Sequence, residues 1–270
     1  MAETRRGPRE HAGRALGVLA APAVALIARL RRARMFHPEG HTFVGTSTPI
    51  AGPFRSLSEQ LGGRVLARLS PALWRGDFEH LDVLGLALRF RRGPGELDED
   101  AQPGDQDLLT ATIRSPLTML LSPLFTDASD FVGSRYWAVS PFEYHGAHIE
   151  LRLTPVDPPR VAGNRVERLE VAVAAGRASW WLESRRTLHL TWHPVARINL
   201  RAPIELDQEA LFFNPFRGPV LRPVGLVHAI RRATYAASQR TRAAVHGERP
   251  PGKPSVISHG WRRNKTFRAT

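Results

Sequence analysis

Arg231 and Tyr235 stand four residues apart in a stretch whose periodicity predicts a helix from about Pro223 to Val245. On a helix that spacing puts both side chains on one face, a single turn apart. A fixed guanidinium beside a phenol favours the phenolate and lowers its pKa from about 10. A phenolate is an anionic ligand for ferric iron, and tyrosine is one of the side chains known to hold haem iron. The same face continues with His228, Ser238 and Arg242, while Val227, Ile230, Thr234 and Ala237 make a separate apolar face. Spacing alone leaves a bland alternative open, because a polar row on an amphipathic helix is ordinarily a solvated surface.

A second candidate lies near the other end. His37 and His41 are four apart, a metal-binding spacing on a helix, but Pro38 and Gly40 break that helix and no third ligand accompanies them. A zinc site is therefore not expected. With no cysteine in 270 residues, thiol catalysis, disulfides and Cys-ligated clusters are excluded, so any redox centre must be borrowed.

The elements that would position these groups alternate with period two. Leu84, Leu86, Leu88 and Phe90 alternate with Gly85, Ala87, Arg89 and Arg91, and Ile149, Leu151 and Leu153 with Glu150 and Arg152. Similar short strands are expected at Phe43–Thr46, Arg64–Leu69, Asp107–Ile113, Leu169–Val173, Leu188–Trp192 and Val195–Leu200, about eight in all. Turn chemistry separates them, as at Gly93-Pro94-Gly95 and Gly163-Asn164. Eight short strands with little helix between them predict a closed antiparallel barrel, since closure removes exposed edges.

Net charge is +13, from 38 Lys and Arg against 25 Asp and Glu, and only Lys253 and Lys265 are lysines. Much of the excess sits at the two ends, and no RNA-binding or heptad-linked basic signature accompanies it, so specific nucleic-acid recognition is not expected. The apolar stretch Leu16–Ala28 is 13 residues long, too short to span a bilayer, and predicts a docked amphipathic helix. A cytoplasmic protein is expected, with export or weak membrane contact through the basic ends as alternatives.

Two distant segments carry a resemblance to a known family. Arg222-Pro-Val-Gly225, followed by Arg231, Tyr235 and Arg242 after a preceding Phe213-Asn-Pro, resembles the proximal haem helix of the catalase superfamily. Arg34-Met-Phe-His37-Pro-Glu-Gly40, leading into the first strand, resembles the distal motif of that superfamily. Asp82-Val-Leu-Gly85-Leu-Ala87-Leu-Arg-Phe90 and Tyr136-Trp-Ala-Val-Ser-Pro141 through Gly146 also resemble its strands. The likeness covers roughly residues 30–244 and points to the small catalase-related peroxidases.

That resemblance implies an α+β architecture with a catalase-like haem domain at 34–245; the apolar stretch predicts a helical arm at 1–33 before it, and the Pro- and Gly-containing basic segment a flexible tail at 246–270 after it. It implies haem b ligated by Tyr235, with Arg34, Arg231 and Arg242 around it and His37 as the distal base. The distal asparagine of true catalases has no counterpart in Asp107–Thr112, so Thr110 or Thr112 would take its place, and Leu81 stands where an arginine is expected. The implied activity is reduction of hydroperoxides, organic ones above hydrogen peroxide, with an unidentified electron donor and little dismutation. Rearrangement of hydroperoxides as in catalase-like allene oxide synthases, a non-enzymatic haem carrier, a polyanion-binding module without haem and a homo-oligomer remain open.

Overall fold

The computed structural model describes residues 40–72, 74, 79–114, 121–138 and 141–224. Ten strands and three short helices occur among them: β1 (His41–Pro49), α1 (Arg55–Gln60), β2 (Gly63–Pro71), β3 (Leu84–Arg91), β4 (Gln106–Ala111), α2 (Ser122–Phe125), β5 (Tyr136–Trp137), β6 (Phe142–Tyr144), β7 (Ala147–Pro155), α3 (Arg165–Ala174), β8 (Ser179–Arg186), β9 (His193–Pro203) and β10 (Arg222–Pro223). Eight of the strands close on themselves in the order β7-β5-β4-β3-β2-β1-β9-β8, with β7 returning to β8, and all pairings are antiparallel. The short β6 and β10 extend one edge of β7. The expected closed barrel of eight strands is present.

Alternation decides which side chains fill it. Phe43, Ala67, Leu86, Leu88, Leu108, Leu151 and Leu182 belong to one continuous buried core inside the barrel. Tyr136 joins them, fully buried, with its hydroxyl donating to the Phe131 carbonyl at 2.7 Å. Burial, together with the nearby Asp130 charge, pushes this phenol well above its ordinary pKa, so it stays neutral. Between β1 and β9 the register shifts at Val44/Gly45, where a Cβ on Gly45 would collide with the Asn199 carbonyl. Glycine is the residue that lets the two backbones approach there.

Two expected strands are something else. Residues 169–173 lie in helix α3, not in a strand. Asn164 accepts from the N–H groups of Val166 and Glu167 at 3.0 Å each, and Glu167 accepts from Asn164 N–H at 3.0 Å, a complete capping box. Helical spacing then buries Arg165, Leu169, Ala172 and Val173 on one side. The Leu188–Trp192 segment is the turn joining β8 to β9. The two remaining barrel positions are supplied instead by β5 (Tyr136–Trp137) and β8 (Ser179–Arg186). Pro223, expected in the first turn of a helix, pairs with Phe142 in β10. The helix expected to follow it, the N-terminal arm and the basic tail lie outside the described residues. No helix among the described residues is long and apolar enough to cross a membrane.

Candidate functional site

The outer face of β1–β4 carries a second, separate pattern. Residues paired across antiparallel strands share a face, so the registers define rows running across the barrel wall. Val44, Leu66, Arg89 and Asp107 form one row. Thr42, Arg68, Ala87 and Leu109 form the next, and Ser70, Gly85, Ala111 and Trp137 the one above.

The lower rows are covered by the chain itself. Leu66 packs with Leu97, Leu211 and Phe213, and Val44, Ala87 and Leu109 lie against the same cluster. Below and beside this cover sits a charged network with no exposed member at its centre. Arg89 Nε donates to Asp107 at 3.1 Å, both side chains being fully buried. The other Asp107 oxygen accepts from Arg217 at 2.7 Å and from the Asn214 N–H at 2.8 Å. Arg89 also donates to the Phe212 and Glu99 carbonyls at 2.5 and 3.0 Å and lies over the Phe213 ring. Burial pushes the Asp107 carboxyl up against the pull of Arg89, the Asn214 N–H and Arg217. One turn of register away, Arg91 forks onto Asp105 at 2.8–3.3 Å and donates to the Glu96 and Asp100 carbonyls.

The upper row differs in side-chain size. Ser70, Gly85 and Ala111 are all small, and Ala72 and Val83 continue the surface, joined by the Ala72 N–H to Val83 carbonyl bond at 2.8 Å. Ala72, Val83 and Ala111 form a small buried apolar cluster with Ile113 beside it. Three strands at the usual spacing make this strip about 10 Å wide. Asp82 secures its upper edge, its carboxylate accepting from the N–H groups of Val83, Ala72 and Trp74 at 2.7, 3.1 and 3.4 Å. The Asp82–Phe90 motif thus reads physically: a carboxylate that ties the β2–β3 connection, then Gly85 and Ala87 on the outward rows and leucines on the inward ones.

At the lower edge of the strip stands Arg68, only 5% exposed. Its Nε donates to Gln208 at 3.0 Å, and its guanidinium occupies the space into which a Cβ on Gly40 would project. Gly40 is three residues beyond His37 in the chain. Arg68 escaped the sequence reading because its importance depends on which row it occupies; the alternation Leu66, Arg68, Ser70 against Val65, Ala67, Leu69 was the available signal.

Of the residues singled out from sequence, Arg34, His37, Arg231, Tyr235 and Arg242 lie outside the described residues. Thr110 and Thr112 are described, and neither faces the strip. Thr110 pairs with Leu86 on the inward row, and its hydroxyl donates to the Leu86 carbonyl at 2.7 Å. Thr112 accepts from the Leu84 N–H at 3.1 Å and shares a hydrogen bond with the Thr126 hydroxyl at 2.9 Å. The residue between them that does face outward is Ala111. His41 lies in the register of Leu69, with its ring edge-on to Phe131. Leu81 adopts φ 50°, its carbonyl accepting from the Trp74 indole. No group of three or more potential metal-ligating residues occurs among the described residues. The cleft between Arg91, Gln102 and Val220 lies at the opposite end of β3 and β4 from the strip.

No protein-family model matches the chain, and no curated protein matches it. Solved structures do. A bacterial catalase aligns with a TM-score of 0.53 at 14% identity, over 90% of this chain and 66% of its own. A fungal catalase aligns with a TM-score of 0.53 at 13% identity, over 80% of this chain and 61% of its own. The fold is that of the catalases. At these identities the likeness concerns the catalase-like barrel and its topology, and this chain spans just under two thirds of each of those catalases.

Proposed function

We propose that the chain is a haem-dependent peroxidase that reduces hydroperoxides, organic ones in preference to hydrogen peroxide, with little dismutation. The observation that carries this reading is the strip Ser70–Gly85–Ala111 on the outside of a catalase-like barrel, bordered by the buried Arg68 at Gly40. A flat macrocycle needs a surface without projecting side chains, and its carboxylates need cations. The small outward side chains of Ser70, Gly85 and Ala111 fit the first demand, and Arg68 adds positive charge at the edge of that face. In this reading Tyr235 is the iron ligand, and Arg231 keeps its phenol ionised. Arg34 and Arg242 are the residues this reading assigns to the propionates, a use suited to the planar fork of arginine.

Ferric haem b, when bound, supplies the electron transfer that the side chains cannot. The protein's own part is proton handling and orientation. His37 takes the proton from the hydroperoxide and returns it to the departing oxygen. Balanced overall, one hydroperoxide, two electrons from an external donor and two protons give an alcohol and water. Both threonine hydroxyls that the sequence offers in place of the distal asparagine are engaged in structural hydrogen bonds, and the outward residue between them is Ala111. That arrangement supports slow use of hydrogen peroxide.

The test is an absorption spectrum of the haem-loaded protein followed by turnover of hydrogen peroxide and of an organic hydroperoxide with a reducing dye. A Soret band that Tyr235→Phe weakens, and peroxide reactivity that His37→Ala slows while the band persists, are expected. Absence of a Soret band overturns the reading. Ala111 also favours a second reading, a haem carrier without turnover, for which a Soret band without any peroxide-dependent oxidation is the signature. A rearranged product formed from a lipid hydroperoxide without reductant would instead indicate an allene oxide synthase-like enzyme.

A further inference from the structure

The turn between β8 and β9 exposes two leucines almost completely, Leu188 at 94% and Leu190 at 90%. Neither solvation nor backbone geometry rewards this. Leu188 has φ 72°, the left-handed region that asparagine or glycine adopts with less strain. A leucine that is both strained and solvated is accounted for if a partner surface covers it.

The turn is also built rigidly. Thr187 N–H donates to the His148 carbonyl at 2.9 Å, and His189 N–H to the Arg186 carbonyl at 3.0 Å. At its base the Trp192 ring is held between the guanidinium groups of Arg152 and Arg185, at 4.2 and 4.5 Å. Arg152 and Arg185 are in turn paired with Glu183 and Glu150 at 2.6 Å each. Exposed Arg186 and His189 flank the two leucines. From Ser184 to Trp192 the turn contains no acidic residue, and Arg186 stands exposed beside the leucines while Arg185 is paired with Glu150.

We propose that this turn is a membrane-docking tip: Leu188 and Leu190 enter the acyl boundary of an anionic lipid surface while Arg186 and His189 meet its headgroups. An apolar point with a half-buried tryptophan behind it and cations around it complements such a surface chemically. This turn is distinct in sequence from the basic end segments, and it lies at the end of the barrel away from the upper edge of the β1–β4 strip, so the proposal stands independently of the haem reading.

The test uses the full chain and sedimentation with vesicles of phosphatidylglycerol and phosphatidylcholine in equal parts. Leu188→Ser with Leu190→Ser leaves every charge in place and alters only solvated positions. Binding weaker by about tenfold or more is expected, with an unchanged circular dichroism spectrum. Because the chain has no cysteine, Leu190→Cys accepts a single environment-sensitive dye, whose emission should shift to the blue on these vesicles. The same dye at Glu170→Cys, exposed on α3, should not respond. Equal vesicle binding by the double variant, absence of wild-type binding, or a dye at position 190 that stays in water would each overturn the proposal. So would a concentration-dependent dimer that the double variant abolishes without change in vesicle binding, since the occupant would then be a second copy.

Discussion

The same three strands, β2–β4, present two unlike surfaces on one side of the barrel. Toward the Phe90/Gln106 ends, β2–β4 display Leu66, Arg89, Arg91, Asp105 and Asp107, and the chain folds its own segments over them. Toward the Leu84/Ala111 ends they display Ser70, Gly85, Ala111 and Val83. Side-chain size and charge change within a few residues, while the inward rows are leucine-rich and apolar apart from Thr110 and His41 at the upper end. The difference separates two duties. The lower surface anchors cover, because a buried guanidinium fixes the position of every carbonyl and carboxylate it contacts. The upper surface keeps side chains short, with Ser70, Ala72, Val83 and Ala111 each less than a tenth exposed, the flat kind of face that the proposed haem reading calls for.

The strongest way to break this comparison is Arg89→Met. Methionine cannot satisfy Asp107, whose carboxylate would be left buried with Arg217 and the Asn214 N–H. The Glu99 and Phe212 carbonyls would lose their donor as well. Removing one member of a buried pair should cost about 3–5 kcal/mol, read as a lowered midpoint in urea unfolding. A variant as stable as the wild type would show that the network does not hold the cover.

A smaller effect is expected from Asp105→Asn. Burial opposes ionisation of Asp105, but hydrogen bonds from Arg91 and the Gln102 N–H, with the charges of Arg91 and Arg89, outweigh it and hold its carboxyl below the usual range. The sign follows from linkage. A depressed folded pKa means stability that is fully present above the unfolded value of about 4 and is lost as pH falls through the folded pKa. Asp105→Asn should therefore cost about 1–3 kcal/mol at neutral pH, the range for hydrogen bonds to charged groups, and much less in acid. Arg91 keeps its carbonyl partners and Asp98, which limits the loss. Unfolding curves at pH 7 and pH 3 check it: a pH-independent difference would mean that the pair adds nothing beyond shape.

What could be read before folding follows the same division. Alternation in 84–90 and 149–153 was legible because both strands have one apolar face inside a closed barrel. It misled at 169–173, where Leu169, Val171 and Val173 also alternate, although the capping pair Asn164 and Glu167 was visible and outweighs it. It misled again at 188–192, where Leu188, Leu190 and Trp192 alternate in a solvated turn, because periodicity registers hydrophobicity and not cover. Strand β8 went unread since Trp181 and Ser184 blur the contrast between its faces. In the site, residue types were legible and facing was not. Arg68 and Ala111 become meaningful only when pairing to β1 and β3 assigns them to rows.

The smallest effect tests that assignment most directly. The catalase resemblance expects an asparagine in the segment Asp107–Thr112, and since the outward position there is Ala111 rather than Thr110 or Thr112, an amide at 111 should stand on the strip beside Gly85. Ala111→Asn should then raise hydrogen peroxide turnover by the haem-loaded protein by up to about tenfold, within the range that one well-placed hydrogen bond provides. Thr110→Asn and Thr112→Asn should raise nothing. Thr110→Asn would press a larger amide into the barrel interior and lose the bond to the Leu86 carbonyl, and Thr112→Asn would disturb the Leu84 and Thr126 contacts. Both should unfold at lower urea concentration than the wild type. Gain of turnover at position 110 or 112, with none at 111, would reverse the facing of β4 at the site and move the strip off this wall of the barrel. A gain confined to 111 would tie the row geometry to peroxide chemistry through a single substitution, with the threonine variants controlling for any general effect of an added amide.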